Sequence, residues 1–562
     1  MDLTDNIRSS EISIREFIEN YYKCLKSGKE NFLSQFFDSY KKVSPSIHKD
    51  LNHHKLDIGV LFYTINRLPP DIFETNKVVL AATSAGFEKA GYFIDAGLKT
   101  GLWRKSFPAF RRRKTYFHSP SGTLAGYITS PSDIDDFLNC LISFQIEWQK
   151  LASFLHNNVE EFLARQNYQL LGLNEVEWLS FKKLLGDNWK SIIMSCSRNV
   201  DLSVKLVEGD KTLFAQLATD WWQEISGKSF IFGLENIPIY VISSNLHSLV
   251  NIIGGYVRRK QSEIFNYTEH NFPDLYQEWL RVNQAGDQVR LSDFLYYISG
   301  KYFQYNPQDL QAKKNYEQGL GIKQIHLQGN LYCDVQIIPV KSILKSNSID
   351  PYIKVQCPEL LNNSQSLILN IDYPLGASAY YLFSLLSQTL KNIRGFYIIG
   401  KSAILSGEVG DVQIPSIIFD ERSGNIFHIN NVFNQEFPFP TFQSAILQNQ
   451  KAISVYSSFM ENRFQLEGYI DAGFNIIEME AGPYLTAIVE NFLKPESLQS
   501  NVFHLQNLPF DFGIINYASD NPLSKTMAEG PMALRGAEPT YLALLATLQH
   551  IIDLECRQPS VK

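Results

Sequence analysis

The sequence lacks the features that mark membrane-spanning, secreted and metal-binding proteins. No apolar run reaches the roughly 18 residues that a membrane helix requires. The first 17 residues are polar and mixed in charge, without the apolar centre of a signal peptide. The six cysteines are scattered, and no pair has the short spacing of a zinc site or a redox motif. We therefore expect a soluble cytoplasmic protein with reduced, mostly buried thiols.

An excess of positive charge is also missing. The chain has 51 Lys and Arg against 58 Asp and Glu, a formal net charge of −7, so nucleic acid is not an expected partner. One local exception is Arg111–Lys114, four consecutive basic residues that we call the basic segment. Arginines beside the start of a helix could grip a phosphorylated ligand, but the pattern favours a solvated basic surface loop.

Apolar residues, in contrast, are abundant enough for more than one core. They make up 44% of the 562 residues, so we expect at least two domains. Residues 1–265 are mainly helical in pattern, and our hypothesis for this region is a regulatory or ligand-sensing role. Residues 266–329 are polar and are expected to link or decorate the two halves. From 330 to 562, apolar β-rich runs alternate with helical segments, which predicts an α/β domain with a central mixed sheet flanked by helices.

Polar or glycine residues follow three apolar strands of this predicted domain, at the strand ends where α/β sheets bind ligands. Gly400–Lys401 ends the first strand, although a plain strand–turn–strand would explain the glycine equally. Glu478–Glu480 ends the second, and such carboxylates suit either the vicinal hydroxyls of a ribose or a helix N-terminus. Ser519–Asp520 ends the third, where a helix cap is the alternative.

In this order, the three segments resemble the superfamily of nucleoside phosphorylases and nucleosidases. That superfamily includes bacterial purine nucleoside phosphorylases and methylthioadenosine/S-adenosylhomocysteine nucleosidases, and the resemblance covers roughly residues 330 to 562. It implies that Glu480 binds the ribose, that Met479 packs against the sugar and that Glu478 supports them. It assigns Asp520 to N7 of the purine, with Ser519 holding that carboxyl group.

Two further positions match the family. Gly400 corresponds to its glycine-containing strand end, and Phe459 falls about where the family has an aromatic residue that stacks on the base. In this chemistry, breaking the glycosidic bond develops positive charge on the sugar and negative charge on the purine. A carboxylic acid at N7, here Asp520, neutralises the leaving base, for which its pKa must be raised by burial. The reaction requires no metal and no organic cofactor.

The phosphate-binding pattern of the phosphorylases is not recognisable. Their first strand is typically followed by a Gly-Asp-Pro-x-Arg loop, whereas here Gly376 stands where the arginine is expected. Ile398 precedes Gly400 in place of an arginine, and Lys401 replaces a small hydroxyl residue. We therefore favour water as the nucleophile, with Asp372 either activating it or serving as a turn residue. Lys401 could still hold an anion, so phosphorolysis stays open.

The predicted function is thus cleavage of the N-glycosidic bond of a purine nucleoside or nucleotide by hydrolysis. The alternatives are phosphorolysis, with phosphate as second substrate, and a purine-binding sensor without catalysis. The resemblance also implies a homo-oligomer. In the N-terminal half, Ser243–His247 ends a strand and starts a helix; it is a ligand-binding edge or, more simply, a cap with a packed histidine.

Overall fold

The computed structural model describes residues 3–155, 158–196, 200–284, 291–346, 348–434, 437, 439, 441, 444–493, 500–523 and 536–557. The strands are β1 (Asn31–Phe32), β2 (Lys77–Ala81), β3 (Trp103–Lys105), β4 (Thr115–His118), β5 (Thr123–Tyr127), β6 (Ser203–Leu206), β7 (Ile239–Ser244), β8 (Lys323–Ile325), β9 (Val335–Pro339), β10 (Leu367–Asp372), β11 (Ile393–Ile404), β12 (Val412–Asp420), β13 (Asn425–Ile429), β14 (Ile446–Ser454), β15 (Ile476–Glu478), β16 (Val502–Leu505) and β17 (Asp511–Asp520).

Helices cover both halves of the chain. They are α1 (Leu3–Lys26), α2 (Phe37–Val43), α3 (Ile58–Ile65), α4 (Ser84–Lys89), α5 (Ile94–Thr100), α6 (Pro131–Leu155), α7 (Val159–Arg165), α8 (Glu175–Leu185), α9 (Trp189–Cys196), α10 (Lys211–Ser229), α11 (Ser248–Gly254), α12 (Tyr256–Arg259), α13 (Gln261–Asn271), α14 (Pro273–Gln284), α15 (Leu291–Tyr305), α16 (Pro307–Gly319), α17 (Ser342–Lys345), α18 (Pro358–Asn363), α19 (Ser378–Thr389), α20 (Arg463–Asp471), α21 (Ala481–Phe492) and α22 (Ala537–Cys556). Short 3₁₀ helices lie at Leu33–Phe36, Pro70–Glu74, Tyr168–Leu171, Leu234–Asn236 and Val432–Asn434.

A six-stranded sheet forms the centre of the N-terminal region, in the order β1-β6-β2-β5-β4-β3. Helix α6 packs on it closely, since a side chain added at Gly126 of β5 would meet Phe137 of α6 at 2.9 Å. The turn before α6 is held by Asp133, whose carboxylate accepts hydrogen bonds from the amide (2.8 Å) and hydroxyl (2.5 Å) of Thr129. The basic segment lies in the loop between β3 and β4, directly beside the start of this helix.

The larger sheet has eleven strands and is mixed, which confirms the predicted α/β class. Its centre is the parallel set β10-β7-β11-β17. Strand pairing also closes a ring, because β17 pairs β11 and β12, β12 pairs β14, β14 pairs β15, and β15 returns to β11. Strand β7, from before residue 330, lies inside this sheet, between β10 and β11.

Residues 266–329, where the sequence predicts a linker or decoration, contain helices α14 to α16 and the edge strand β8. Helix α15 packs against α22, with the rings of Tyr296 and Tyr541 stacked at 4.4 Å between centroids. Within the described part of the chain, none of the helices is both long and apolar enough to cross a bilayer.

The thiol prediction is wrong for two of the six cysteines. Cys357, at the start of α18, and Cys556, the last residue of α22, form a disulfide with their Cα atoms 5.7 Å apart. The bond joins positions 199 residues apart in the sequence, so spacing along the chain offered no sign of it. The other four cysteines are free thiols, three of them buried.

Candidate active site

The carboxyl ends of the parallel strands β10, β11 and β17 bring Asp372, Lys401 and Asp520 to one edge of the larger sheet, whereas β15, which leads to Glu480, runs antiparallel to β11. Strand β11 is the longest there: β7 pairs with it as far as Ile398, and β15 pairs with it at Ala403 and Ile404. Among the described strands, none pairs with the intervening stretch on this side, which contains Gly400 and Lys401. Both line a cavity of about 290 Å³ at this gap.

Glu480 lines the same cavity, one residue before α21 begins. Its carboxylate accepts a hydrogen bond of 2.9 Å from the amide of Gly376, in the loop after β10. Gly376 has a φ of +48°, and a Cβ there would lie 2.3 Å from the hydroxyl oxygen of Ser132, so both backbone and packing favour glycine. Burial raises the pKa of Glu480 above its ordinary value. The structure therefore brings Gly400, Lys401 and Glu480 together.

Glu478 is buried and holds the start of α21 rather than facing the cavity. One carboxylate oxygen accepts hydrogen bonds from the amides of Glu480 (2.7 Å) and Ala481 (2.6 Å), and the other accepts one from the hydroxyl of Ser454. Burial, with the charge of Glu480 beside it, raises the pKa of Glu478. The side chain of Met479 packs on the apolar cluster that includes Leu466. These contacts correspond to the helix N-terminus interpretation of the motif.

Ser519 and Asp520 end β17, on the other side of β11. The hydroxyl of Ser519 lies 2.5 Å from a carboxylate oxygen of Asp520 and 3.0 Å from the carbonyl oxygen of Ser402. Burial raises the pKa of Asp520, although Ser519 and the positive charges of Arg67 and Lys401 oppose the shift. Asp520 in turn favours the charged form of Lys401, whose pKa is lowered by burial and by Arg67.

The two carboxyl groups of the hypothesis thus follow strands that flank β11. Ala403 of β11 is paired with Ile477 of β15 on one side and with Asp520 of β17 on the other. Because neighbouring strands lie about 4.8 Å apart, the backbones of Ile477 and Asp520 are roughly 10 Å apart. Glu480, three residues after Ile477, lines the cavity, whereas Asp520 is not among the residues that line it.

Asp372 ends β10 and forms an ion pair with Arg112 of the basic segment, with an N–O distance of 2.5 Å. One of its oxygens also accepts a hydrogen bond from the amide of Tyr373 at 3.1 Å. Burial raises the pKa of Asp372 to about 6; Arg112 lowers it and Asp334 raises it further. Tyr373, which follows, lines the cavity. Asp372 therefore lies next to the cavity and is already paired.

Phe459 does not line the cavity. It is fully buried, and the Tyr63 ring packs against it edge-to-face at 5.3 Å between centroids. The hydroxyl of Tyr63, in α3, also lies 2.8 Å from that of Ser458. Arg67, which interacts with Asp520, places its guanidinium 3.4 Å from the centre of the Tyr63 ring. A segment of the N-terminal region therefore covers the position expected for the base.

The basic segment is the main contribution that the sequence pattern did not predict, because all four of its residues line the cavity. Arg111 makes two hydrogen bonds with Asp136 of α6, at 2.8 and 3.0 Å, and Arg113 contacts both Asp133 and Asp136 at 3.1 Å. Arg113 is only 5% exposed, so the interpretation as a solvated loop is wrong for this residue. The acidic residues that open α6 were the available signal, since buried arginines require such partners.

The second N-terminal contribution is the end of β7. Asn245 accepts hydrogen bonds from the amides of His247 (3.1 Å) and Ser248 (2.8 Å), as the cap interpretation predicts. The His247 ring packs edge-on against Tyr541 at 6.0 Å. Burial lowers the pKa of His247 to about 4, with smaller effects from the positive charges of Lys313 and Lys401. His247 is therefore neutral at physiological pH and faces the same edge of the sheet as Lys401.

Several solved structures of nucleoside-cleaving enzymes are similar to part of this chain. The 5′-methylthioadenosine/S-adenosylhomocysteine nucleosidase of S. pneumoniae, with a transition-state inhibitor, is 13% identical; the match covers 41% of this chain and 90% of that one, with a TM-score of 0.28. The corresponding nucleosidase of Colwellia psychrerythraea, in complex with adenine, is 12% identical over 41% and 84% of the two chains, with a TM-score of 0.26. The P. knowlesi homologue of P. falciparum PNP is 17% identical over 33% and 75%, with a TM-score of 0.24.

Sequence comparison identifies a family whose description names no activity. No curated protein matches the chain. Residues 33–553 match the model of a family described as a family of unknown function, DUF6909. This match includes every strand of both sheets except β1 and every site residue discussed above, and the chain belongs to that family.

Proposed function

We propose that this protein cleaves the N-glycosidic bond of a purine nucleoside or nucleotide, with water as the attacking group. The observation that carries the proposal is the position of two carboxyl groups. Glu480 and Asp520 follow the strands that flank β11. Lys401 of β11 shares a cavity with Glu480 and interacts electrostatically with Asp520.

The leaving base is the first requirement, because departure of a purine anion is unfavourable unless it is protonated or hydrogen-bonded. Asp520 is the acid in this proposal. Its burial favours the protonated form, and a protonated carboxyl group can donate to N7 of the base. Ser519 keeps that carboxyl group in place through its 2.5 Å contact.

The sugar is the second requirement. Glu480 is anchored by the Gly376 amide, and a carboxylate has further lone pairs with which to accept hydrogen bonds from the ribose hydroxyls. Holding the ribose there leaves C1′ able to move towards the nucleophile as the bond breaks. Asp372, with a pKa of about 6, is mostly ionised at neutral pH and is the candidate base that activates water. The expectations of a cytoplasmic location and a homo-oligomer stay predictions.

The test is release of free base from adenosine, inosine, guanosine, AMP and ATP, with and without phosphate, followed by chromatography. Asp520→Asn should lower the rate roughly 100- to 10,000-fold, because an amide cannot transfer the proton. Asp471→Asn is the matched control, since Asp471 is exposed at the end of α20. Undiminished cleavage by Asp520→Asn would remove the acid from the mechanism. Release that requires phosphate would instead select phosphorolysis.

A non-catalytic sensor is the remaining alternative, and the burial of Phe459 beneath Tyr63 favours it over phosphorolysis. A protein that only binds would be stabilised against heat by adenosine without releasing base. If the wild type binds adenosine without releasing base, Tyr63→Ala separates a sensor from an enzyme whose base position is covered, because removing the cover should allow turnover only in the enzyme. A sensor would stay inactive.

A further inference from the structure

The cavity that holds Glu480 has a wall of positive charge drawn from both halves of the chain. Five cationic residues and two acidic residues line it. The cationic residues are Arg111, Arg112, Arg113, Lys114 and Lys401, and the acidic residues are Asp133 and Glu480. Its volume of about 290 Å³ is near the lower end of the roughly 300–1,000 Å³ typical of small-molecule sites. The cavity therefore suits one small anionic ligand.

Arg113 has unused hydrogen-bonding capacity at this cavity. Its Nη2 contacts the two aspartates of α6, and the face of its guanidinium lies 4.4 Å from the centre of the Phe137 ring. Its Nε and Nη1 atoms are buried and have no hydrogen-bond partner among the described residues. A buried donor without an acceptor is costly, and because Arg113 lines the cavity, a rotation of its guanidinium towards the cavity would let oxygens of a ligand satisfy these donors.

Two lysines at the cavity also lack a carboxylate partner in the described part of the chain. The ammonium of Lys114 donates to the carbonyl oxygens of Gln328 and Gly329, which are neutral. Lys401 has neither a hydrogen bond nor an ion pair with any described residue, and its contact with Asp520 is electrostatic only. Neither ammonium is therefore in direct contact with a carboxylate, unlike the guanidinium groups of Arg111 and Arg112, which have aspartate partners.

We propose that this cavity binds a phosphate group through Arg113, Lys114 and Lys401, so that the substrate is a phosphorylated purine nucleoside. The assignment of the substrate rests on the function proposed above; the phosphate site does not. A phosphate has several acceptor oxygens and more than one negative charge, which matches two lysines without a carboxylate contact and an arginine with two unpaired nitrogens. The phosphate belongs to the 5′ position of the nucleotide, and free phosphate is the other source of the same chemistry.

Binding by titration calorimetry tests the proposal without requiring turnover. The probes are AMP, adenosine and inorganic phosphate, each added to the full-length protein. The wild type should bind AMP at least about tenfold more tightly than adenosine, as expected for charge-assisted hydrogen bonds. Lys401→Gln and Lys114→Gln should each reduce that preference about tenfold. Lys99→Gln, which removes an exposed lysine from α5, is the control and should leave it unchanged.

The outcomes separate this proposal from the proposed function. AMP preference that the lysine variants abolish, without base release from any probe, supports the phosphate site and refutes the enzyme. Equal affinity for AMP and adenosine in the wild type, with base released from both, overturns the phosphate site and leaves the enzyme. Tight binding of inorganic phosphate that strengthens adenosine binding, with no preference for AMP, overturns the 5′ assignment. Thermal unfolding of each variant checks that the substitution leaves the fold intact.

Discussion

The two walls of the cavity satisfy their charges in different ways. On the C-terminal wall, Glu480 accepts a hydrogen bond from the backbone amide of Gly376, and Glu478, behind that wall, accepts hydrogen bonds from two backbone amides at the start of α21. On the N-terminal wall, Arg111 and Arg113 are held by aspartates of α6, more than 20 residues further along. The hydrogen bonds of Glu478 lie within its own short strand-end sequence, so the first wall has a local motif. The ion pairs of the second wall join separate elements and leave no such motif.

The walls also differ in what they leave free for a ligand. Glu480 accepts one hydrogen bond from Gly376 and has acceptor positions left, which suits hydroxyl groups of a sugar. Arg113 and Lys114 of the N-terminal wall and Lys401 of the C-terminal wall have donors and positive charge left, which suits an anion. A ligand with a sugar beside a phosphate complements Glu480 and these cationic groups at once.

The largest effect on stability is expected from the shared aspartate of the N-terminal wall. Asp136→Asn removes the partner of Arg111 and Arg113, both of which are held inside the protein. Removing one member of a buried ion-pair network costs about 3–5 kcal/mol, and urea denaturation measures the loss. Asp471→Asn, at an exposed site, should change the free energy of unfolding by less than about 0.5 kcal/mol. A loss of that small size in Asp136→Asn would mean that the wall is not built on this network.

Removing the disulfide should lower the stability of the protein without changing either wall of the cavity. Cys556→Ser opens the link between α18 and α22, which closes a chain segment of 199 residues, and should cost about 2–4 kcal/mol. Neither cysteine lines the cavity, so the preference for AMP over adenosine should persist below the lowered melting temperature. Cys24→Ser, at a free and partly exposed thiol, is the control. Loss of the preference in Cys556→Ser would show that cavity and disulfide are coupled.

Sequence reasoning predicted one wall and missed the other for a physical reason. Alternating apolar and helical runs were sufficient for the α/β class, and the strand-end motif located Glu480, Gly400 and Lys401 at one edge. Arg112 forms an ion pair with Asp372 and donates a hydrogen bond to the carbonyl oxygen of Tyr373, 261 positions away in the sequence. Partners so distant leave no local pattern, and four basic residues in a loop are most often solvated.

Phe459 also shows that contacts between residues distant in the sequence cannot be predicted from a local motif. The aromatic position was identified, but Tyr63, which covers it, lies in a helix almost 400 residues earlier, where its hydroxyl contacts Ser458. Packing of one half on the other decides whether a ring is open to a ligand. The role of β7 was hidden similarly: its apolar run was recognised as a strand, but its place between β10 and β11 depends on pairing with strands over 100 residues away.

Two single substitutions in the strand-end motif test whether Glu478 and Glu480 have different roles. Glu478→Gln should cost about 1–3 kcal/mol of stability, because its carboxylate accepts from two amides of α21 in a buried site. The carboxylate of Glu480 accepts a hydrogen bond from the amide of Gly376 and does not hold the start of a helix, so Glu480→Gln should cost less stability, while weakening ribose binding about tenfold. Denaturation and calorimetry with adenosine measure the two effects. If both variants lose stability equally and adenosine affinity equally, the two carboxylates do not divide these roles.

The smallest effect is expected where the two walls meet, at the ion pair of Asp372 with Arg112. The pKa of Asp372 is raised to about 6, whereas in the unfolded chain it is about 3.9. Between these values the folded protein binds more protons, so this group's contribution to stability is complete below pH 4 and is lost as the pH rises through 6. From pH 5 to pH 6 the loss should be about 1 kcal/mol. Asp372→Asn removes this part of the slope, so the free energy of unfolding of the variant, measured by urea denaturation, should fall less steeply over that interval than that of the wild type. Identical slopes would show that Arg112 keeps Asp372 ionised throughout, and the contact between the walls would then be a permanent ion pair rather than one that weakens in acid.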